Sequence, residues 1–500
     1  IAPFDLKILG EEDVEVLGIE CDSRKVKNGD IFVAIKGEHF DGTKFASEAE
    51  KNGAKSILTE REIKDTSLPQ VIVEEVSKVL GNLSARFYLE PTKEMKVLGI
   101  TGTNGKTTVA YLTESIFKSA RVRGGGAVIG TINYRYDGKV FDSEHTTPEA
   151  HNLQRFFKEI ADAGITHCAV EVSSHALTQR RVDGTNFQVK VFTNLTPEHL
   201  DYHHTIEEYY KAKSRLFTDK SFDSSSNVRD RGLVINADDP YGRRIIKESK
   251  EALTYSLDSS GEASIYPKSF TVSSSGISAL VATPKGTLNI ESTLVGEYNL
   301  QNILAAIGAG IALGFSTEVI SAGINNLKKV PGRLEAFKGG SNISAFVDYA
   351  HTPDALEKTL KALKPLTKAR IITVFGCGGD RDKIKRGVMG EVATRLSDIT
   401  IITSDNPRTE DPLMIISDIE GGIKEAKKYE TSKKTEEKTY LIIPDRKEAI
   451  ERAVEFARSG DLVLIAGKGH EDYQIVGSKK FLFDDREILK NCLDKARAAS

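Results

Sequence analysis

The sequence is poor in residues that would tie it to several common functions. Its 500 residues include no tryptophan, three methionines and four cysteines. The cysteines, Cys21, Cys168, Cys377 and Cys492, lie far apart and form no CxxC pair. That spacing argues against a cysteine zinc site and for reduced structural thiols, hence for a cytoplasmic protein. Neither sign of charge dominates: a formal net charge of −3 gives no general reason to expect nucleic acid as a partner. No apolar run is long enough to span a bilayer, so membrane insertion is not expected. The opening "IAPFDLKILGEED" lacks the basic start and apolar core of a signal peptide. No short-period repeat occurs. What is present is ordinary globular composition, 39% hydrophobic and 28% charged, in a chain long enough for two to four domains.

Three blocks emerge. Residues 1–92 hold the strand-like "GDIFVAIKG", a helical "TKFASEAEKNG" and a strand "AKSILT", and end near "LEPTKEM", which reads as a polar linker. Residues 93–331 start with the strand "KVLGI" and continue with "HCAVEV", "VKVFTNL" and "GLVINA". Apolar strands alternating with helical patterns predict a parallel sheet covered by helices. Period-2 alternation over 270–295 predicts antiparallel strands, and "GEYNLQNILAAIGAGIALG" a tightly packed helix. Residues 332–500 repeat the alternation with "SAFVDYA", "RIITVFG", "DITIITSD", "YLIIPD" and "DLVLIAG". "SFDSSSN" reads as a surface loop, and "KEAKKYETSKKTEEK" as a solvated helix end and loop. The expected fold class is α/β in three domains: a small N-terminal α/β domain, a central P-loop ATPase-like parallel sheet, and a C-terminal Rossmann-like doubly wound domain.

Chemistry first shows in "VLGITGTNGKTTVA", residues 97–110. An apolar strand stops at Gly102-Thr103-Asn104-Gly105, and Lys106-Thr107-Thr108 opens a helix. The layout is that of a phosphate loop, yet the spacing G-x-x-x-x-G-K-[ST] fails by one, because Ile100 stands where the first glycine belongs. Glycines let the backbone approach phosphate oxygens, and the helix start supplies N–H groups and a favourable dipole. Lys106 suits the β/γ-phosphates and the Thr107 hydroxyl suits Mg²⁺.

Three further stretches follow strand ends, where open α/β sheets bind ligands. "AVEVSSHALTQRRVDG" offers Glu171 for a divalent cation, with Ser173, Ser174, His175, Gln179 and Arg181 close behind; the same residues also fit a capped helix start. "FTNLTPEHLDYHHTIEEYYKAKSRLF" carries His199, Asp201, His203 and His204, without the fixed spacing of a zinc site. There Thr205 and Glu208 form a capping box, while Lys211, Lys213 and Arg215 read as charges on a solvated helix face. "TSDNPRTEDP", "FGCGGDRDKIKR" and "AGKGHEDYQ" bring Asp380, Arg381, Asp405, Arg408 and Glu471 to one end of the third block. Arginine there suits bidentate recognition of a carboxylate, and a network of loop ion pairs is the competing reading.

With these stretches in order, the chain resembles the Mur ligase family, ATP-dependent amide-forming enzymes of peptidoglycan synthesis. "GITGTNGKTT" matches that family's shortened phosphate loop. "TNLTPEHLDYH", "YNLQNILAA", "VPGRLEAF" and "DYAHTPDAL" match its later landmarks, so the resemblance covers nearly the whole chain. Within the family, "CDSRKVKNGDIFVAIKG", "HTTPEA", "EVSSHALTQRRV", "GCGGDRD" and "SDNPR" resemble the type that adds the third stem-peptide residue to UDP-N-acetylmuramoyl-L-alanyl-D-glutamate.

The resemblance implies the following sites. Ser23, His39 and Phe40 lie near uridine. Thr146, Thr147, Ser173, Gln179 and Arg181 hold the muramoyl dipeptide. Gly102, Thr103, Asn104, Gly105, Lys106, Thr107, Thr108, Asn299, Asn302, Arg333 and Asp348 serve ATP. Thr107, Glu171, His199 and Lys213 serve Mg²⁺, Lys213 as a CO₂-derived carbamate, which turns a repelled ammonium into an oxygen ligand. Lys106, Lys213, His199 and Glu171 form the catalytic set. The implied reaction forms an acyl phosphate on the D-glutamate γ-carboxylate, which the incoming amine attacks, releasing ADP and phosphate. "DNPR" resembles the signature for meso-2,6-diaminopimelate, with Arg381, Asp405, Asn406, Pro407, Arg408, Gly467 and Glu471 as its pocket. With lysine as acceptor Arg408 would stay unpaired, an expensive outcome; L-lysine stays an alternative. A folylpolyglutamate-synthase-like ligase and a regulatory ATPase are the rival classes. The expected protein is a monomer with small-molecule partners only.

Overall fold

The structure, a computed structural model, describes residues 6–37, 41–222, 232–249, 251–260, 262–338, 343–429 and 438–498. His39, Phe40 and most of the Ser-rich "SFDSSSN" lie outside the described residues. The chain divides into two compact units, one of residues 1–101, 121–191 and 211–233, the other of 102–120, 192–210 and 234–500. No described helix is long and apolar enough to cross a membrane.

The first unit opens with five strands, Leu6–Leu9, Gly18–Glu20, Asp30–Val33, Ser56–Thr59 and Gln70–Val73. Their spatial order is first, fifth, fourth, third, second, with only the first running antiparallel to its neighbour. Alternate residues face opposite ways along each strand. Ile31, Val33 and Leu58 therefore pack with Val76, Val79 and Leu80 of the helix Val76–Phe87. Phe32 and Ile57 pack with Ala46 and Ala49 of the helix Ala46–Lys51. The segment expected to be a polar linker is instead ordered. Leu89 and Glu90 take positive φ, and Pro91–Lys93 forms a 3₁₀ turn with Pro91 and Thr92 buried. Thr92 Oγ1 accepts from Asn186 N at 3.1 Å, which anchors it.

The same unit continues with Lys96–Thr101 and His167–Glu171 side by side and parallel, then Ala127–Ile129 parallel to the latter. Asn133–Tyr136 and Lys139–Asp142 extend the sheet antiparallel. Cys168, Val170 and Val97 pack with Leu153, Phe157 and Ile160 of the helix Ala150–Asp162. Glu171 thus ends a buried strand, as its place in the sequence predicts.

In the second unit the helix Lys106–Ser119 packs against Glu297–Ala312 and Thr317–Asn326. The alternating stretch forms an antiparallel meander, Tyr266–Ser273, Gly276–Thr283 and Gly286–Ser292. Beyond it lies a seven-stranded sheet in the order Glu335–Lys338, Ser344–Asp348, Leu462–Ala466, Ile371–Phe375, Ile399–Ile402, Thr439–Ile442, Lys427–Lys428. Only the first of these is antiparallel. Phe346, Ile371, Phe375 and Ile402 face helices Pro353–Leu363, Ile384–Leu396 and Pro412–Glu420. Their neighbours Val347, Ile372, Val374 and Ile401 face Arg446–Phe456 and Asp485–Ala498. This is the doubly wound arrangement. Caps from Thr352, Asp411 and Asp445 start three of these helices, the first two with proline next in the chain. The charged stretch 424–438 departs from expectation where described, because Lys427–Lys428 pairs with Thr439–Ile442 as a short edge strand.

Candidate active site

The shortened loop owes its shape to two glycines. Gly102 and Gly105 take φ of +145° and +92°, and a Cβ on either would stand 1.9 Å from Thr193 Oγ1 or 2.3 Å from Asn302 Oδ1. Neutral groups pin the loop. Thr103 N donates to Asn194 O at 2.8 Å, Asn104 N to Asn194 Oδ1 at 2.9 Å, and Thr193 Oγ1 to Asn104 O at 2.6 Å. Lys106 Nζ folds back onto the Gly102 and Thr103 carbonyls at 2.7 and 2.8 Å. The first helical bond runs from Val109 N to Gly105 O, so the preceding amides, Thr108 among them, are those a helix cannot use in its own ladder.

Four expected nucleotide residues gather at this loop. Asn302 Nδ2 donates to Asn299 Oδ1 at 2.9 Å, and both are buried on Glu297–Ala312. Arg333 Nη2 reaches Thr107 Oγ1 at 3.3 Å, and its guanidinium lies over the Tyr349 ring, 4.8 Å from the centroid. Its Nε is buried with no hydrogen-bond partner among the described residues. Asp348 holds the backbone beside this arginine: it accepts from Leu334 N at 2.6 Å, Ala350 N at 2.9 Å and Thr359 Oγ1 at 3.3 Å. Burial pushes the Asp348 carboxyl up, against the pull of Arg333. Sequence reasoning missed Asp354, whose Oδ2 accepts from Asn104 Nδ2 at 3.1 Å and Thr196 Oγ1 at 2.9 Å. His199 takes φ +56° just before the helix Leu200–His203. Glycine relief, helix amides and an orphaned buried donor together fit an anionic ligand.

The first unit joins most of the expected dipeptide residues into one network. Glu171 is buried, and its oxygens accept from Thr131 N at 3.1 Å and Thr131 Oγ1 at 2.8 Å. Thr131 Oγ1 meets Thr146 Oγ1 at 3.1 Å. Thr147 Oγ1 donates to Glu171 O and accepts from Ser173 N. Arg181 donates to Thr147 O at 3.1 Å and Gln179 Oε1 at 2.6 Å, and pairs with Glu149 at 2.9 Å. Ser173 also caps Ser174–Thr178, so the two readings of this stretch coexist. Ser23 is buried and donates to Glu48. Lys213 corrects the expectation of a solvated face, since only 1% of it is exposed. Arg215, on the same helix, pairs with Asp183 at 2.6 Å, while Thr205 Oγ1 caps that helix by accepting from Glu208 N at 3.1 Å.

The third constellation sits at the carboxyl ends of three adjacent parallel strands, Leu462–Ala466, Ile371–Phe375 and Ile399–Ile402. Asn406 Nδ2 donates to Glu471 Oε2 at 2.8 Å. Gly379 N donates to Asn406 O, and a Cβ on Gly379 would meet Pro407 O at 1.9 Å. Gly467 lies so close to Asp405 that a Cβ would stand 2.8 Å from Oδ2. Arg408 takes φ +52° and donates to Gly379 O at 2.7 Å. No described carboxylate forms a direct ion pair with it, although its charge helps hold the Asp380 carboxyl down. Arg381 is exposed and donates to Asp380 O, with its Cγ near the same side of Gly378 as the Arg408 guanidinium. Two buried cations escaped sequence reasoning. Arg446 pairs bidentately with Asp485 at 2.8 and 2.7 Å, and Lys468 meets Asn406 and Glu471. Arg386 also grips Glu410 with both Nη atoms, tying the loop at 380 to the loop at 410.

A phosphate loop with its own arginine, and a charged pocket at the strand ends of a doubly wound sheet, define a nucleotide-using ligase. The chain belongs to the Mur ligase family. Three family models match in order: "Mur ligase family, catalytic domain" over residues 15–88, "Mur ligase middle domain" over 100–310, and "Mur ligase, glutamate ligase domain" over 332–469. The chain is 45% identical over 485 residues to the UDP-N-acetylmuramoyl-L-alanyl-D-glutamate–2,6-diaminopimelate ligase of Geobacter metallireducens, covering 96% of this chain and 94% of that one. A solved structure of a ligase of that name is 34% identical, with a TM-score of 0.68 over 96% of this chain and 95% of the other. The ADP complex of the Thermotoga maritima MurF ligase shares the fold, with a TM-score of 0.65 at 19% identity over 97% and 100% of the two chains.

Proposed function

We propose that this chain is an ATP-dependent amide ligase of peptidoglycan precursor synthesis. It adds meso-2,6-diaminopimelate to the D-glutamate γ-carboxylate of UDP-N-acetylmuramoyl-L-alanyl-D-glutamate, giving ADP and phosphate. The observation that carries the acceptor is the pocket of Arg408 with Asp405, Asn406 and Glu471. A guanidinium with no direct carboxylate ion pair, beside the buried Asp405 and the half-buried Glu471, suits a molecule that ends in both a carboxylate and an ammonium. L-lysine supplies only the ammonium.

In this reading Lys106, Thr107 and the helix amides neutralise charge on the phosphates while the γ-carboxylate of the dipeptide attacks. Arg333 adds a second cation, and Asn299 and Asn302 shape the nucleotide side. Thr146, Thr147, Ser173, Gln179 and Arg181 hold the dipeptide, and Ser23 the uridine side. Thr107, Glu171, His199 and Lys213 are the residues that would hold Mg²⁺, Lys213 as its carbamate. Mg²⁺ supplies charge neutralisation and orientation of phosphate oxygens. The burial of Lys213 removes it from the solvated face and is in keeping with the carbamate. Exclusion of water protects the acyl phosphate until the amine arrives. The domain assignment is 1–92 for the UDP substrate, 93–331 for ATP and 332–500 for the amino acid. The protein acts as a cytoplasmic monomer on small molecules.

An acceptor screen tests the reading. Phosphate release should require both the UDP-dipeptide and a diamino acid, with meso-diaminopimelate preferred over L-lysine and L-ornithine. ATP turnover that proceeds equally without either would return the protein to the regulatory ATPases.

A further inference from the structure

Asn406 and Glu471 owe their orientation to a residue that the functional reading leaves out. Lys468 is fully buried, at 0% exposure, one residue beyond Gly467. Its Nζ donates to Asn406 Oδ1 at 3.0 Å and to Glu471 Oε2 at 3.1 Å, with the Tyr473 ring 5.5 Å away. Asn406 Oδ1 also accepts from Ile475 N at 3.0 Å. Two donors on Oδ1 fix the amide one way round, so Nδ2 must face Glu471, to which it donates at 2.8 Å. Both donors to the Glu471 side chain therefore converge on Oε2, and no described residue donates to Oε1.

We propose that Lys468 is a positioning residue for the acceptor: it aims Glu471 Oε1 at the distal ammonium of the diamino acid. This rests on the acceptor reading above and goes beyond it, because Lys468 touches Glu471 and Asn406 rather than the ligand. The charge balance demands such a residue. Burial and then Asp405 push the Glu471 carboxyl above the usual carboxylate range, while Lys468 and Asn406 pull it back. Arg446, Tyr349 and Tyr473 are the other titratable groups facing it. Without Lys468, Glu471 takes up a proton at higher pH and meets an ammonium as a neutral acid.

The test measures kcat and KM for meso-diaminopimelate against pH in wild type, Lys468→Met, Glu471→Gln and the double variant. Lys468→Met should raise the acceptor KM about 30-fold, the loss typical of truncating one partner of a buried charge pair. The acid limb of kcat/KM should move to higher pH, and KM for ATP should stay within about twofold. Because Lys468 acts through Glu471, the double variant should be no worse than Glu471→Gln alone. An unchanged acceptor KM and acid limb, or effects that add in the double variant, overturn the proposal. ATP binding and thermal melting check the fold, with Lys468→Gln as the second variant; loss of folded protein in both marks a folding residue and also overturns it. If wild type takes no diamino acid, the functional reading fails first; if wild type uses meso-diaminopimelate and Lys468→Met does too, only this proposal fails.

Discussion

Around residues 102–108 most contacts are made by neutral groups, with charge entering through Asp354 on Asn104 and Arg333 on Thr107. Backbone amides, Asn194, Thr193 and Asn302 shape the loop, and its one lysine rests on its own carbonyls. Around residues 405–471 the contacts are made by charges. Asp405, Lys468, Arg446 and Asp485 are buried and Glu471 half-buried; Arg446 meets Asp485 and Asp405, and Lys468 meets Glu471. On the proposed function, the difference follows from what each end would read. A phosphate is recognised by many N–H groups of fixed direction, and any nucleotide presents the same oxygens. An amino-acid side chain is told from its relatives by one carboxylate or one ammonium, and only a desolvated counter-charge gives that difference weight.

Breaking the two ends should therefore give different signatures. The largest effect is expected at the loop: Lys106→Ala should cut acyl phosphate formation by about 10³-fold or more, read as ATP-dependent hydroxamate trapping on the UDP-dipeptide. Activity near wild type would remove the phosphate role from this lysine. Lys213→Ala should be comparably inactive and regain part of its turnover in formate; indifference to formate would count against the carbamate. At the acceptor end, Arg408→Lys should lower kcat/KM for meso-diaminopimelate by about 10–100-fold while ATP binding is retained. Equal losses for meso-diaminopimelate and L-lysine would mean the arginine does not read the second carboxylate.

The smallest effect is on stability. Burial, aided by Arg333, holds the His470 imidazole down at about 3, against an ordinary value of 6.5. The fold thus refuses a proton that the unfolded chain accepts below pH 6.5. This contribution is complete above that pH and shrinks as the pH falls toward 3. His470→Gln should flatten the fall of Tm between pH 6.5 and 4 by about a degree for each 1 kcal/mol, the scale set by a chain of this size. A slope identical to wild type in calorimetry would show that the ring does not titrate with unfolding.

Local patterns made much of this legible from sequence. The strand–glycine–helix order marked the phosphate loop, and period-2 alternation marked the meander. Apolar runs between helices marked the doubly wound sheet. What stayed hidden depends on partners far along the chain. Lys213 reads as a surface charge because a helix face does not reveal what packs on it, yet it is buried. Lys468 gives one of its hydrogen bonds to Asn406, 62 residues away. Arg446 finds Asp485 at a separation of 39. The "LEPTKEM" segment looks like a linker by composition, and its order comes from Pro91, Thr92 and the distant Asn186. Asp354 sits at an ordinary helix start, and only the fold brings it to Asn104.

That last contact also has a consequence for synthesis. The Asn104–Asp354 bond spans 250 residues and the Thr107–Arg333 bond 226. A ribosome that has released the phosphate loop has yet to make either clasp. Contacts of such separation form late, after the loop-closure entropy of the intervening chain has been met. The loop thus gains these two partners only after more than 200 further residues have been made.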